Sequence, residues 1–269
     1  MARALAARGV EVVPVVRSAA AFGATALPFV PRIADLGDEA ALAVALADAS
    51  LVASAAHARH AGAIIAAAPA GARLVLMGST RRYTAWPDAH GDGVIAGEAA
   101  LLASGRDGVM LHPTMIYGAE GENNVRRLAA LMRRLPVLPL PGGGRSLVQP
   151  IHQDDVTACL VAALEHPWRG AHSLVVAGPA AVSYADFCRA IAVAAGLGAP
   201  RIIPLPAWML MAASPLTLLP GLPRIRPGEI RRLMEDKAFD IAPMVARLGV
   251  VPRGLAEGLE EMKKEGVLF

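Results

Sequence analysis

Ser79 and Thr80 follow the apolar run Arg73 to Met77 and Gly78, so their hydroxyls stand where a strand should end. Hydroxyls so placed either polarise a ligand carbonyl or close the strand as a Ser/Thr turn. Arg17 ends a second apolar run, Val10 to Val16. Its forked donors suit a phosphate, and a solvated strand-end arginine is the plainer reading. Asp35 follows the short run Arg32 to Ala34 and reads either as an acceptor for a ligand amine or as a turn aspartate. His57 and His60 are three residues apart, as helix-borne metal ligands are, but no third ligand stands near them, so no metal is expected. His90 lies in Asp88-Ala89-His90-Gly91-Asp92-Gly93, which reads as a flexible loop with an exposed histidine; acid/base chemistry is the alternative. Gly91-x-Gly93-x-x-x-Gly97 has no strand leading into it and reads as coincidence rather than a phosphate turn. Gly142-Gly143-Gly144-Arg145 reads as a loop. Arg126, Arg127, Arg133 and Arg134 read as a solvated helix face, with an anionic surface as the alternative. Trp208 to Met211 reads as packing or interface, or as a lid over a ligand.

The elements that must carry these residues follow from hydrophobic periodicity. Strands are expected at Val10 to Val16, Arg32 to Ala34, Leu51 to Ala55, Arg73 to Met77, Gly108 to Leu111, Gln149 to His152 and Ser173 to Val176, with Arg201 to Ile203 extended. Helices are expected at Asp38 to Ala47, His60 to Ala68, Ile95 to Ser104, Asn124 to Arg134, Asp154 to Glu165, Tyr184 to Ala195, Pro227 to Glu235 and Leu255 to Lys264. Pro136 to Gly144 reads as a loop rich in proline and glycine. Alternation of short apolar strands with helices indicates parallel βαβ units, doubly wound, with ligands at the carboxyl ends of the strands.

Composition sets the outer bounds. In 269 residues, 55% are hydrophobic and 18% charged, enough for a large core and against disorder. Aromatics are 4% and the net charge is +3, which leaves neither a base-stacking surface nor a nucleic-acid footprint. Lysine occurs only at Lys237, Lys263 and Lys264. Cys159 and Cys188 cannot make a disulfide framework or a four-thiolate site, so a reducing, cytoplasmic setting is expected. Met1 to Arg17 has no secretion-signal pattern. Leu205 to Leu222 is the most apolar window, but Pro206, Pro215 and Pro220 interrupt it; surface contact with a membrane is a better expectation than a span.

Five segments in order resemble the NAD(P)-dependent epimerase/dehydratase branch of the extended short-chain dehydrogenase/reductase superfamily. They are Arg8-Gly9-Val10-Glu11-Val12 with Arg17; Asp35-Leu36; Gly78-Ser79-Thr80 followed by Tyr83; His112-Pro113-Thr114-Met115-Ile116-Tyr117-Gly118, similar to an Arg-Pro…Tyr-Gly segment; and Pro150-Ile151-His152-Gln153-Asp154-Asp155-Val156. The stretch His112 to Val156 most resembles an atypical subgroup that includes the NAD(P)H-binding accessory subunit of respiratory complex I. The resemblance implies a Rossmann-type core over residues 1–116 and a C-terminal lobe, mixed with returning Rossmann elements, over 117–269. It implies NADP or NAD held by Arg17, Asp35, Leu36, Ala53, Ser54, Ala55, Ser79, His112, Pro113 and Thr114, with Arg17 favouring the 2′-phosphate of NADP. It places Ser79 and Thr80 at the reacting carbonyl and Tyr117, Asn123, Asn124 and Gln149 on a small-molecule substrate, such as a nucleotide sugar. A protein partner or a membrane surface is the other expected contact.

The sequence departs from that pattern twice. There is no Gly-x-x-Gly-x-x-Gly turn, whose backbone N–H groups would face the pyrophosphate, and Met1 falls inside the helix that should follow it. The strands around Val10 to Val16 and Leu51 to Ala55 are then expected to lack their shared neighbour. An upstream start, a rearranged sheet or a strand from another chain would each answer this. The Tyr-x-x-x-Lys couple is also absent: four residues after Tyr83, Tyr117 and Tyr184 stand Pro87, Gly121 and Cys188. If Glu98 is the helix acid of the family, the couple's positions fall near His90 and Val94. Either an oxidoreductase without tyrosine–lysine catalysis or a non-catalytic nucleotide-binding scaffold fits these residues.

Overall fold

The computed structural model describes residues 1–118, 124–135, 137–213 and 227–266. Short strands alternate with helices from the start. The chain runs α1 (Ala2–Ala6), β1 (Val15–Val16), α2 (Ala19–Gly23), β2 (Arg32–Ile33), α3 (Glu39–Leu46), β3 (Leu51–Ser54), α4 (Ala61–Ala67), β4 (Arg73–Met77), α5 (Ala89–Ala103) and β5 (Gly108–Pro113). It continues with β6 (Ile116–Tyr117), α6 (Asn124–Arg134), β7 (Val137–Pro141), β8 (Leu147–Val148), β9 (Ile151–His152), α7 (Gln153–Glu165), β10 (Ala171–Val176), β11 (Val182–Ser183) and α8 (Tyr184–Ala194). Then come β12 (Arg201–Leu205), α9 (Ala207–Ala213), α10 (Pro227–Arg232), α11 (Ala242–Leu248) and α12 (Leu255–Lys264). Single 3-10 turns occupy Ala58–His60, Thr80–Tyr83 and Gly142–Gly144.

The central sheet is parallel, in the order β10-β5-β4-β3. Both faces are covered, which is why Leu74, Leu76, Val75, Val109 and Leu111 form near-continuous apolar runs. One face packs Val75, Val109 and Leu111 under α7 and α11 residues such as Cys159, Val161, Met244 and Leu248. The other packs Leu74, Leu76 and Met110 under Leu42, Leu46, Ile64, Val94 and Leu101 of α3, α4 and α5. This is a Rossmann-type, doubly wound α/β fold. β1 and β2 form a separate parallel pair, Val15 opposite Arg32 and Val16 opposite Ile33, with no ladder to β3 among the described residues. Side chains link them instead: Leu5 and Val12 pack in one core with Leu51 and Ala53, and Val15 and Ala34 in the other with Val52.

A third core belongs to the second half of the chain. Tyr117, Val125, Leu128, Leu138, Leu140, Phe187, Ile191, Leu259 and Met262 join β6, α6, β7, α8 and α12. β7 pairs in parallel with β12, β8 antiparallel with β11, and β6 in parallel with β9.

Three sequence expectations are corrected. Residues 137–141 of the expected loop are strand β7; Pro139 and Pro141 fit because, among the described residues, β7 pairs only with β12 and can present its missing donors outward. The loop around His90 is the first turn of α5, started by Asp88, whose Oδ1 accepts from Gly91 N–H at 2.9 Å. Val10 to Val13 are not strand, and Val10 and Val13 are exposed. The glycines of α5 also gain a reason. A Cβ at Gly97 would stand 2.0 Å from the Ala58 carbonyl oxygen, so glycine lets α5 lie against the Ala58–His60 turn.

Gly97→Ala is therefore expected to destabilise the fold by about 1–3 kcal/mol, as overpacking does. Gly62→Ala on α4, where nothing lies within 4 Å, is expected to stabilise it by about 0.5–1 kcal/mol. Urea unfolding of both variants checks the opposite signs.

Candidate functional site

The carboxyl ends of β3, β4 and β5 deliver Ala53 to Ala55, Gly78 to Thr80 and Pro113-Thr114 to one edge of the sheet. Beneath that edge lies a buried ionic cluster. Glu98 of α5 is 3% exposed and its Oε2 stands 2.5 Å from Arg82 Nε. Its other oxygen lies 3.4 Å from Nε2 of His112, a fully buried residue of β5. His112 Nδ1 in turn accepts from Ser79 N–H at 3.1 Å. A Cβ at Gly78 would stand 2.4 Å from that nitrogen, so glycine here lets the imidazole lie against the end of β4. Three elements thus converge on one carboxylate, and the turn after β4 is fixed by it.

The turn itself is tied down at both ends. Ser79 Oγ accepts from Arg81 N–H at 3.2 Å, and Thr80 Oγ1 donates to the Pro113 carbonyl at 3.2 Å. Arg82 donates to Tyr83 Oη at 3.0 Å and lies over its ring. The Tyr83 ring is 6.5 Å from His112 and 5.7 Å from Phe239. Arg81 pairs closely with Asp88, and Arg232 of α10 reaches the same carboxylate at 3.1 Å. Glu235 accepts from Thr84 Oγ1 at 2.8 Å and from Ala85 N–H at 2.7 Å. These contacts from positions 232–239 have no signal in local spacing, because about 150 residues separate the partners. A second missed feature is the edge-on pair His57–His90, with centroids 4.2 Å apart. His57 Nδ1 accepts from Arg59 N–H, and its buried Nε2 has no partner among the described residues.

The residues anticipated from sequence divide into two groups. At the edge stand Ala53, Ser54, Ala55, Ser79 and Thr80, while the separate β1–β2 pair leads into exposed Arg17, exposed Asp35, whose Oδ1 accepts from Gly37 N–H at 2.8 Å, and half-buried Leu36. The second group is committed inside the protein. His112 is closed off as described. Thr114 is buried and donates to the Gln149 carbonyl. Gln149, 3% exposed, donates to the carbonyls of Gly178 and Phe239 and accepts from Phe239 N–H at 2.7 Å. Its amide therefore pins the C-terminal segment. Tyr117 is 1% exposed, packs 5.2 Å from His152, and its hydroxyl meets α12 where a Cβ at Gly258 would be 2.3 Å away. Burial raises its pKa above the usual phenol value. Asn124 is exposed on α6, while Asn123 lies outside the described residues.

Other reactive groups are neutralised by their surroundings. Burial pushes the thiols of Cys159 and Cys188 up to about 12, so neither is a nucleophile at neutral pH. His152, Asp154 and Glu261 come close enough to hold a metal, but Arg253 pairs with Asp155 at 3.0 Å, with Glu261, and with Asp154 at 3.7 Å. A guanidinium already supplies the cation there. Among the described residues no helix is long and apolar enough to cross a membrane.

No family model matches the chain, and no curated protein is similar to it in sequence. Solved structures share its fold over nearly its whole length. The NADPH-dependent quinone oxidoreductase of Escherichia coli, complexed with NADPH, is 21% identical with a TM-score of 0.71, over 93% of this chain and 89% of that one. The UDP-glucose 4-epimerase of Thermotoga maritima, with UDP-glucose, is 13% identical with a TM-score of 0.71, over 99% and 94%. A short-chain dehydrogenase/reductase superfamily protein of Agrobacterium tumefaciens, with bound NAD, is 15% identical with a TM-score of 0.68, over 99% and 93%. At these identities the likeness is one of fold.

Three imidazoles, buried His112, half-buried His57 and, beside it, His90, give the fold a pH dependence. Burial lowers the pKa of His112, against the pull of Glu98, and burial also lowers those of His57 and His90. Below the ordinary imidazole value of 6.5 the unfolded chain binds protons that the folded chain refuses, so stability falls as pH drops from there. Thermal melting between pH 8 and about 5 should show this acid limb, and His112→Gln should make it shallower.

Proposed function

We propose that this chain binds NADP or NAD along the carboxyl edge of its parallel sheet, as a relative of the epimerase/dehydratase branch of short-chain dehydrogenases. One observation carries the reading: β3, β4 and β5 run parallel, and β3 and β4 lead into the small and hydroxyl residues Ser54-Ala55 and Gly78-Ser79-Thr80, at the strand ends where ligands of doubly wound sheets sit. Support comes from the fold shared end to end with proteins crystallised with NADPH or NAD.

The adenosine side fits these residues. Arg17 is exposed and paired with no carboxylate among the described residues, which suits a 2′-phosphate. Asp35 keeps Oδ2 open for an amino group after Oδ1 is spent on Gly37. Ala53 and Ala55 leave room for a flat ring. On the pyrophosphate side the sequence has no glycine-rich turn, and no residue of it is given that role. Bound nicotinamide would supply or accept a hydride. The residue in the lysine's place, Val94, is 1% exposed in the core, so no tyrosine–lysine proton transfer is assigned. Ser79 suits the carbonyl of a small-molecule substrate better than Thr80 does. Ser79 Oγ accepts from Arg81 N–H and keeps its own proton to donate, whereas Thr80 gives its proton to Pro113. The buried Val94 also favours a second reading, a nucleotide-binding scaffold or assembly factor without turnover.

Fluorescence titration tests the first step. Saturable binding of NADPH, tighter than NADH, is expected; Arg17→Gln should weaken NADPH about tenfold and leave NADH unchanged. Absence of saturable binding by either nucleotide contradicts the reading. With binding shown, turnover of carbonyl compounds that falls about 10- to 100-fold in Ser79→Ala supports the enzyme. Binding without turnover supports the scaffold.

A further inference from the structure

Arg231 is a cation left without its ordinary partner. On a helical turn Glu235, four residues on, would pair with it. That carboxylate is spent on the Thr84 hydroxyl and the Ala85 amide. Arg231 instead lies over the Trp86 ring, 5.0 Å from its centroid, and no carboxylate pairs with it among the described residues. Beside this stack opens a cavity of about 460 Å³, walled by Trp86, Ala207, Met211, Arg231, Met234 and Glu235. Its size is that of a small-molecule site. Four of its six walls are apolar, two of them methionines, which adapt to varied shapes.

The cavity wall carries one cation, Arg231, and one carboxylate, Glu235, which is held by Thr84 and Ala85. Residues 124–153 hold five arginines and residues 187–213 two, and neither stretch holds an Asp or Glu. The parallel ladder of β7 with β12 brings the two stretches together, and α9, which supplies Ala207 and Met211, follows β12 directly. A sugar would find few partners on these walls, because Arg231 is the one polar side chain there that is not already engaged. An apolar body would displace water from Trp86, Met211 and Met234, and a carboxylate end would take two donors from the guanidinium.

We propose that this cavity binds apolar carboxylates, acyl or aryl, with Arg231 holding the acid group. That such an acid is also the molecule turned over rests on the nucleotide reading above; its binding does not.

Calorimetric titration with laurate (below its micellar concentration) and 2-naphthoate, each against the alcohol of the same body, tests the proposal. At least one acid should bind saturably and at least tenfold more tightly than its alcohol, and the better of the two bodies tells acyl from aryl. Arg231→Gln should erase that preference while leaving the alcohol's affinity unchanged, and Met234→Glu on the half-exposed wall should abolish binding of both. Equal binding of acid and alcohol, a preference that survives Arg231→Gln, or no saturable binding of either acid overturns it. NADPH titrated in parallel separates the claims: acid binding with no NADPH binding contradicts the nucleotide reading and upholds this one.

Discussion

The Glu98 carboxylate is the contact on which the sheet edge depends. It is buried and faces Arg82 and His112, so α5, β5 and the turn after β4 are held to a common point. A charge in such a place costs desolvation energy unless it is paired, and removing one partner of a buried pair typically costs about 3–5 kcal/mol. The pairing does not add much net stability for that reason; it fixes where the turn lies. Through His112 it reaches the Ser79 amide, and through Arg82 it reaches Tyr83. Every side chain assigned to the reacting end of the site stands on that turn.

The same turn joins the two halves of the chain. Arg81 and Asp88 meet Arg232, and Thr84 and Ala85 meet Glu235. Gln149 completes the tie by gripping both backbone groups of Phe239, whose ring packs on Tyr83. Commitment of Glu235 to the turn is what frees Arg231, so the apolar cavity with its unpaired cation follows from how the halves are fastened. The chain thus carries two chemically unlike surfaces: an exposed arginine and aspartate after β1 and β2, and beside the turn an apolar wall on which Arg231 is the cation left without a carboxylate.

The layered architecture was legible in the sequence because it rests on local patterns. Arg73–Met77, Asn124–Arg134 and Leu255–Lys264 are found with the ends that periodicity and flanking residues give them. β7 was hidden because three prolines in residues 136–141 argue for a loop, and only an outer ladder position excuses them. The start of α5 was hidden by Gly91, Gly93 and Gly97; the last two let His57 and the Ala58–His60 turn lie close, and Gly91 sits against the Arg81 carbonyl. At the site, the strand-end positions of Arg17, Asp35, Ser79 and Thr80 could be read from strand boundaries. The inward commitments of His112, Thr114, Tyr117 and Gln149 could not, since polar residues next to strand ends look alike whether they face a ligand or the core. The ties from Arg232, Glu235 and Phe239 depend on contacts across the whole chain, which no spacing rule reveals.

Backbone hydrogen exchange in Glu98→Gln measures the organising role of that carboxylate most directly. Loss of its charge should speed exchange of the Arg82 and Thr84 amides, which close the turn after β4, while Val109 to Leu111 in the sheet keep their protection. Unchanged exchange at Arg82 and Thr84, or a loss of protection spread evenly over the turn and the sheet, would contradict the account.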